Sequence, residues 1–417
     1  MKHLLWLALA ASASHAEPRD ARRSLPPPET VRVALDNHPA VLAAGHRVGV
    51  ARAQAGALAK GSHEIVLTGS AVRRSVDREG DYAEFDATLT RAVRLPGKAA
   101  LDRRTGEAGV AAAQNRMADA RHQAALELAR LWLDWIGATA LADSDTRNLA
   151  SLEREAGAVE RRAQLRDAAA LDVDQARAAV ARARGQLAES RAALAEAEAT
   201  LRANFPSIPL PQAAPAPAEP DEPAEGFATL GRLVIERSHE IEAAQAEADR
   251  LGFAARRARA DRVADPSLGV RAFSERGGME RGIGLVASMP LGGGYRRYLA
   301  DEAAAQSSAA VSDLAAVRRS IAAIAAADVA LARGRIDGWR SLREAAARAQ
   351  AVAERTRTGN RLGAIDLAEL LYAERQANDA RREEIRARVE ALRAVLRLEI
   401  DSHVLWIDED DHADGHA

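Results

Sequence analysis

The sequence predicts a mainly α-helical protein with a membrane β component, built as two structural repeats. Three observations predict it. Two helical stretches run far longer than compact domains use. Four short segments alternate in polarity and come in two pairs. The same order of segments occurs in both halves of the chain.

The chain opens Met1-Lys2-His3, continues apolar from Leu4 to Ala13, and reaches Ser14-His15-Ala16. One basic residue, a short apolar core and a small-x-Ala end predict a secretory signal peptide over residues 1–16, cleaved after Ala16 or, as second choice, Ala13. The apolar core is too short for a spanning helix, which needs about 20 residues. No later stretch reaches that length, so the mature chain is either soluble outside the cytoplasm or inserted as strands. The chain has no cysteine, which excludes disulfides and an N-terminal lipid on cysteine. A net charge of −2 points away from nucleic acid. Aromatic residues make up 3 % of the chain, while alanine and arginine dominate. Ala, Leu, Glu, Arg and Gln are strong helix formers, so the composition fits long helices packed through small side chains.

Internal repetition is the most informative feature. Ala34-Leu35-Asp36-Asn37-His38-Pro39-Ala40-Val41 opens one helical segment, and Val234-Ile235-Glu236-Arg237-Ser238-His239-Glu240-Ile241 opens another. Each leads into an alanine-rich helical pattern and then an alternating region. Those regions end in the corners Leu95-Pro96-Gly97-Lys98 and Met289-Pro290-Leu291-Gly292. A long helix follows each corner. It is interrupted at Ala170-Leu171-Asp172-Val173 in the first copy. In the second, the break is at Ala364-Ile365-Asp366-Leu367 or the adjacent Glu369-Leu370-Leu371. Equivalent points lie near 194 to 201 residues apart. The repeats are expected over 17–204 and 227–401. Between them, residues 205–226 hold seven prolines from Pro206 to Pro223 and read as a stiff extended linker. Residues 402–417 read as a disordered acidic and histidine-bearing tail.

The stretch from Gly97 to about Ala163 has no proline and predicts a helix of ~100 Å at 1.5 Å per residue. Tyr295 to about Thr358 is its counterpart. Glu29–Gly61, Asp172–Asn204, Phe227–Asp261 and Asp366–Ile400 are each about half that length, so two half-helices stacked end to end match one long helix. Strands are expected at about 64–74, 82–95, 266–275 and 280–290. One face carries Ile65, Leu67, Gly69 and Ala71, then Ala83, Phe85, Ala87, Leu89, Arg91, Val93 and Leu95. In the second copy it carries Leu268, Val270 and Ala272, then Ile283, Leu285, Ala287 and Met289. Period-two alternation of this length suits a strand crossing a bilayer. Four strands cannot close a barrel, and lipid does not tolerate open edges. Either several chains share one barrel, or the hairpins are soluble and pack on the helices.

With Asn37-His38-Pro39, two hairpins, Leu95-Pro96-Gly97-Lys98 and the break at Gly363 in view, the chain resembles the outer-membrane efflux (TolC-type) family over nearly all of its mature length. The break reads Gly363, five residues, Glu369, the pair Leu370-Leu371, and Ala373. The Pro-Gly-Lys corner is most similar to the cation-efflux, CzcC-like branch. The resemblance implies a homotrimer sharing a twelve-stranded barrel in outer-membrane lipid, above a coiled-coil helical tunnel in the periplasm. It implies a passive exit duct of a tripartite system, for heavy-metal cations in the cation-efflux branch, with a periplasmic adaptor and an inner-membrane RND-type transporter as partners. No cofactor is implied. A soluble periplasmic coiled-coil structural or adaptor protein, or an exit channel for type I protein secretion, are the alternatives.

The resemblance also places a periplasmic gate at Glu369, with Asp366, Tyr372 and Asp172. Tyr372 stands where a second acidic residue is common. The other reading of Asp172 and Asp366 is helix capping, which Asp does well. The implied adaptor-docking tips include Arg166, Ala170, Leu171, Arg361, Gly363 and Ala364. Glycine is common at both breaks of the family. Here Gly363 keeps it, and Arg166 replaces it in the first, either altering adaptor choice or simply lying on the surface. His412 and His416 are metal-ligand candidates in the tail. Trp132 and Trp135, three apart on a helix, read as packing. No phosphate loop, HExxH or Gly-x-Ser-x-Gly pattern occurs, so no enzyme is expected.

Overall fold

The computed structural model describes residues 24–407. The expected signal peptide and the histidines at 412 and 416 lie outside the described residues. The chain runs α1 (Pro28–Asp36), α2 (Pro39–Lys60), β1 (Ile65–Val76), β2 (Gly80–Ala92), α3 (Lys98–Gln164) and α4 (Ala170–Asn204). The second copy is α5 (Phe227–Glu236), α6 (His239–Ala260), β3 (Ser267–Glu275), β4 (Glu280–Ser288), α7 (Gly294–Arg361) and α8 (Leu367–Asp401).

The long helices have 67 and 68 residues, about 100 Å each. Half-helices flank them. α3 packs against α2 and α6 along its upper part, and against α4 and α8 along its lower part. α7 packs against α6 above and α8 below. Alanine allows this closeness. At Gly106 on α3 even a methyl group would be crowded, because a Cβ there would lie 2.8 Å from Ala55 on α2.

The segments expected as single half-helices at 29–61 and 227–261 are each broken in two. In the first, Pro39 at the first helical position removes a donor and the His38 ring nitrogen accepts from the Ala40 N–H at 3.3 Å. In the second, no proline is present; the Ser238 hydroxyl accepts from the Ile241 N–H at 3.2 Å and caps α6. Capping groups end and restart the chain there.

The four strands form one antiparallel sheet in the order β1-β2-β3-β4. Register sets the faces. Leu67 opposes Leu89, Leu89 opposes Val270, and Val270 opposes Leu285. Ile65, Gly69, Ala71, Phe85, Ala87, Leu268, Ala272, Ile283 and Ala287 share that face by the two-residue period. The other face carries Thr68, Ser70, Arg74, Glu84, Asp86, Thr88, Thr90 and Arg271. Its charges are paired: Arg74 meets Glu84 at 2.7 Å, and Arg271 meets Asp86. Among the described residues nothing covers the apolar face. Ile283 and Leu285 are 82 % and 90 % exposed. Among the described residues, β1 and β4 each keep one edge unpaired.

Two hydrophobic cores meet around the upper half of α8. Val389, Leu392, Leu396 and Ile400 join Trp132, Trp135 and Leu128 of α3. Ala391, Ala394, Val395 and Leu398 join Trp339, Phe227 and Leu230. α8 is therefore apolar on two sides here, the pattern of a fully enclosed helix. The Trp132 and Trp135 rings meet edge-on at 4.9 Å. The linker 205–226 is extended but not free. Phe205 and Ile208 are buried in the first core, and Glu219 and Asp221 pair with Arg343 and Arg340 of α7, each at 3.2 Å. The tail expectation needs correction at its start. Residues 402–407 are built into the fold, with Ser402, His403, Leu405 and Ile407 buried, because Leu405 and Ile407 have core to fill. Among the described residues, no helix is long and apolar enough to cross a membrane.

Candidate functional site

The two helix breaks lie at the end of the molecule far from the sheet, and both are the same five-residue turn. In the first, the Arg166 N–H bonds the Ala163 carbonyl at 3.0 Å and the Asp167 N–H bonds that of Arg162 at 2.8 Å. In the second, the Gly363 N–H bonds Asn360 O at 3.0 Å and the Ala364 N–H bonds Gly359 O at 2.9 Å. This is the Schellman arrangement, which needs a left-handed residue just past the helix. Gly363 supplies it at φ 74°, and Arg166 supplies it at φ 60°.

These turns fix the correspondence between repeats at 197 residues. Of the two pairings open in the sequence, Asp172 with Asp366 or with Glu369, the structure selects Glu369. Both residues stand at the third position of their helix. Asp366 is the N-cap of α8 and accepts from the Glu369 N–H at 2.8 Å. Its equivalent, Ala169, has no acceptor. There Asp172 reaches back and accepts from the Ala169 N–H at 3.0 Å. Each break uses one half of a capping box, so Asp366 and Asp172 both cap.

Glu369 is exposed in the first turn of α8, at the positive end of the helix dipole. Tyr372, 57 % exposed, accepts from the Gln376 amide at 3.1 Å and lies under the Arg375 guanidinium. It lines a cavity of about 750 Å³ between α4 and α8, with Gln175, Arg182, Gln186 and Asp379. Val173, Ala176, Leu367 and Leu370 belong to one hydrophobic cluster. That cluster brings the starts of α4 and α8 together, and Asp172, Asp366 and Glu369 with them, at one end of the chain. Arg166, Ala170, Leu171, Arg361, Gly363 and Ala364 are all exposed there. The sequence reading missed Leu165 and Leu362, each 80 % exposed at equivalent places. A leucine one residue before the left-handed position in both repeats was the available signal.

The other end is held by a buried cation. Gly97, at φ 86°, turns the chain so that Lys98, 1 % exposed, enters the corner between sheet and helices. Its ammonium donates to Asp265 at 2.8 Å and to the Val263 carbonyl at 2.7 Å, and it pairs with Asp261 at 2.9 Å. Asp265 also accepts from the Leu95 N–H at 3.0 Å, and His63 lies 3.3 Å away. Burial would raise this carboxyl; Lys98, Leu95 and His63 overcome it and hold it at about 2. Lys98 belongs to the first repeat and its partners to the second, so this contact locks the repeats together beneath the strands. Among the described residues, no three His, Cys, Asp or Glu side chains are arranged to hold a metal ion.

Residues 30–204 match the outer membrane efflux protein family. That match covers the first of the two repeats. The matched family is one of outer-membrane efflux proteins, and the solved structures that share this fold include outer-membrane proteins and channels. Three solved structures share the fold. The outer membrane protein VceC of Vibrio cholerae aligns with a TM-score of 0.74 at 18 % identity, covering 90 % of this chain and 95 % of its own. CusC, in a study of folding and transmembrane channel formation, gives 0.75 at 18 %, covering 90 % and 91 %. The CmeC outer membrane channel of Campylobacter jejuni gives 0.71 at 13 %, covering 98 % and 93 %. At these identities the likeness is one of fold. No curated protein matches the chain by sequence.

Proposed function

We propose that three copies of this chain join β1 of one to β4 of the next and form the exit duct of a tripartite efflux system. The observation that carries this is the sheet, which has an uncovered apolar face and two unpaired edges. Lipid accepts the face and rejects the edges. Three chains of four strands give a closed barrel of twelve, a size compatible with an open lumen. The charge pairs Arg74–Glu84 and Arg271–Asp86 then face water inside.

At the far end, each chain brings Asp172, Asp366 and Glu369 to the tunnel entrance. Three-fold repetition makes this an acidic aperture, which favours cations and hinders anions. Glu369 is assigned the gate, since its carboxylate is exposed while Asp366 and Asp172 are engaged as caps. Tyr372 widens the gate's apolar wall and adds no second acidic tier. The exposed Leu165 and Leu362, with Arg166 and Gly363, offer a periplasmic adaptor two equivalent knobs per chain. The adaptor connects the duct to an inner-membrane RND-type transporter, which supplies the energy. Heavy-metal cations are the cargo best suited to this aperture and to the Pro-Gly-Lys corner of the cation-efflux branch.

Purified protein in a planar lipid bilayer tests this reading. Discrete conductance steps that prefer potassium over chloride support it. Absence of conductance, or anion preference, contradicts it.

A further inference from the structure

Where α8 ends, the chain turns through His403 in a left-handed conformation, φ 56°. It is a Schellman turn again: the His403 N–H bonds Ile400 O at 2.9 Å and the Val404 N–H bonds Glu399 O at 3.0 Å. The six residues that follow α8 act as a clasp. Val404 packs on the core around Trp339, while Leu405 and Ile407 sit in the core around Trp132. This segment touches both cores at once. The Arg237 guanidinium holds it from α5's end, donating to the carbonyls of Ser402 and His403 at 3.4 Å.

Three buried imidazoles lie at the root of the clasp. The His403 ring is 4.6 Å from that of His239 and 5.5 Å from that of His122. They come from three elements: α3 for His122, the first position of α6 for His239, and the turn after α8 for His403. Around them stand Asp119 on α3, Arg237, Glu240 and Glu242 at the α5–α6 junction, Asp328 on α7, and Arg397, Glu399 and Asp401 on α8. His122 meets Asp401 at 2.9 Å, and its other ring nitrogen is buried without a hydrogen bond. Arg397 lies 3.3 Å from Asp328 and 3.4 Å from Asp401, so one guanidinium serves two buried carboxyls.

We propose that residues 402–407 are an acid-released clasp: protons entering the His122–His239–His403 stack unseat this segment from both cores while the surrounding helices stay folded. Two adjacent imidazolium ions cannot share a site this dry. The end of α8 favours a cation at His403. Burial and the neighbouring His239 and His122 overcome that and push its ring down to about 3. A depressed imidazole contributes stability that is present above its unfolded value near 6.5 and lost as the pH falls from there. Asp328 has the opposite slope. Burial, against the pull of Arg397 and with Asp401 beside it, raises its carboxyl to about 6. Its contribution is present below the unfolded value and lost as pH rises through 6. Protonation of Asp328 therefore steadies the α7–α8 contact in the same range in which the stack releases the clasp. The two act on different parts, which is why the helices hold while the segment leaves.

Hydrogen exchange on the full chain in detergent, at about pH 7.5 and about pH 4.5 and corrected for intrinsic rates, tests the proposal. Amides of 402–407 should lose protection on the order of tenfold or more in acid, while those of residues 385–398 keep theirs. His403→Asn, which tolerates the left-handed backbone, should keep protection at the higher pH and lose most of the acid response. His239→Gln, placed outside the turn, should do the same. Asp328→Asn should leave the response intact or enlarge it. Equal protection at both pH values in the wild type overturns the proposal. So does an acid response that survives both histidine variants, or one that disappears in Asp328→Asn.

Discussion

Arg166 and Gly363 occupy the same place in two copies of one turn, 197 residues apart, at φ 60° and 74°. Only glycine adopts that conformation without steric cost, which for other residues is roughly 1–2 kcal/mol. Arg166→Gly should relieve much of that cost and raise stability by about 1 kcal/mol, less the greater freedom glycine gains in the unfolded chain. Gly363→Arg should lower stability by a similar amount. Local hydrogen exchange of 160–172 and 358–370 reads both changes, and an Arg166→Gly variant that destabilises its tip would contradict the assignment.

Asp366 and Glu369 should separate cleanly by experiment. Asp366→Ala removes the cap of α8 and should cost about 1 kcal/mol. Glu369→Gln removes no cap, so unfolding should shift by less than about 0.5 kcal/mol. Its effect should appear in reversal potentials across a bilayer, as weakened preference for cations. A large change in stability with unchanged selectivity would return Glu369 to a structural role.

Lys98→Met should cost about 3–5 kcal/mol, because it leaves Asp265 and Asp261 without their buried cation. The acid dependence has a definite sign. Asp265 is held at about 2, below its unfolded value, so its contribution is full above pH ~4 and fades as pH falls toward 2. Thermal unfolding of the wild type should drop across that interval. In Lys98→Met the drop should be shallower, since the carboxyl loses the partner that depressed it.

The two faces of the sheet should respond oppositely to charge. Leu285→Arg places a cation on the uncovered apolar face, where the midplane cost is about 2–4 kcal/mol. Thr68→Arg places it on the polar face and should be tolerated. Yield in outer-membrane fractions distinguishes them. Equal loss in both variants would contradict the assignment of faces.

Much of this was legible because the signals are periodic. Helices of 67 and 68 residues leave a long proline-free record. Alternation through Ile283, Leu285 and Ala287 is hard to mistake. The second turn, at Arg276–Gly278, lies where its glycines put it. Less legible were features set by partners distant in sequence. Lys98 marked a corner, but nothing local shows that Asp261 and Asp265 close around it from another repeat. The breaks before Pro39 and His239 depend on a ring nitrogen and a hydroxyl acting as caps, and the second lacks the proline that marks the first. Residues 402–407 looked like part of a polar tail because the tail's charges follow them. Their seats in two cores depend on helices that come together only in the fold. At the tips, the pairing of Asp172 with Glu369 follows from turn geometry, which residue spacing alone left between two choices.

In the proposed trimer, neighbouring copies complete β1 and β4. The mass of the protein–detergent complex extracted from outer membranes, with the detergent contribution subtracted by light scattering, tests it most directly. The account predicts three chains. One or two chains, with the protein still in the outer membrane, would leave the sheet edges unpaired in lipid and contradict it.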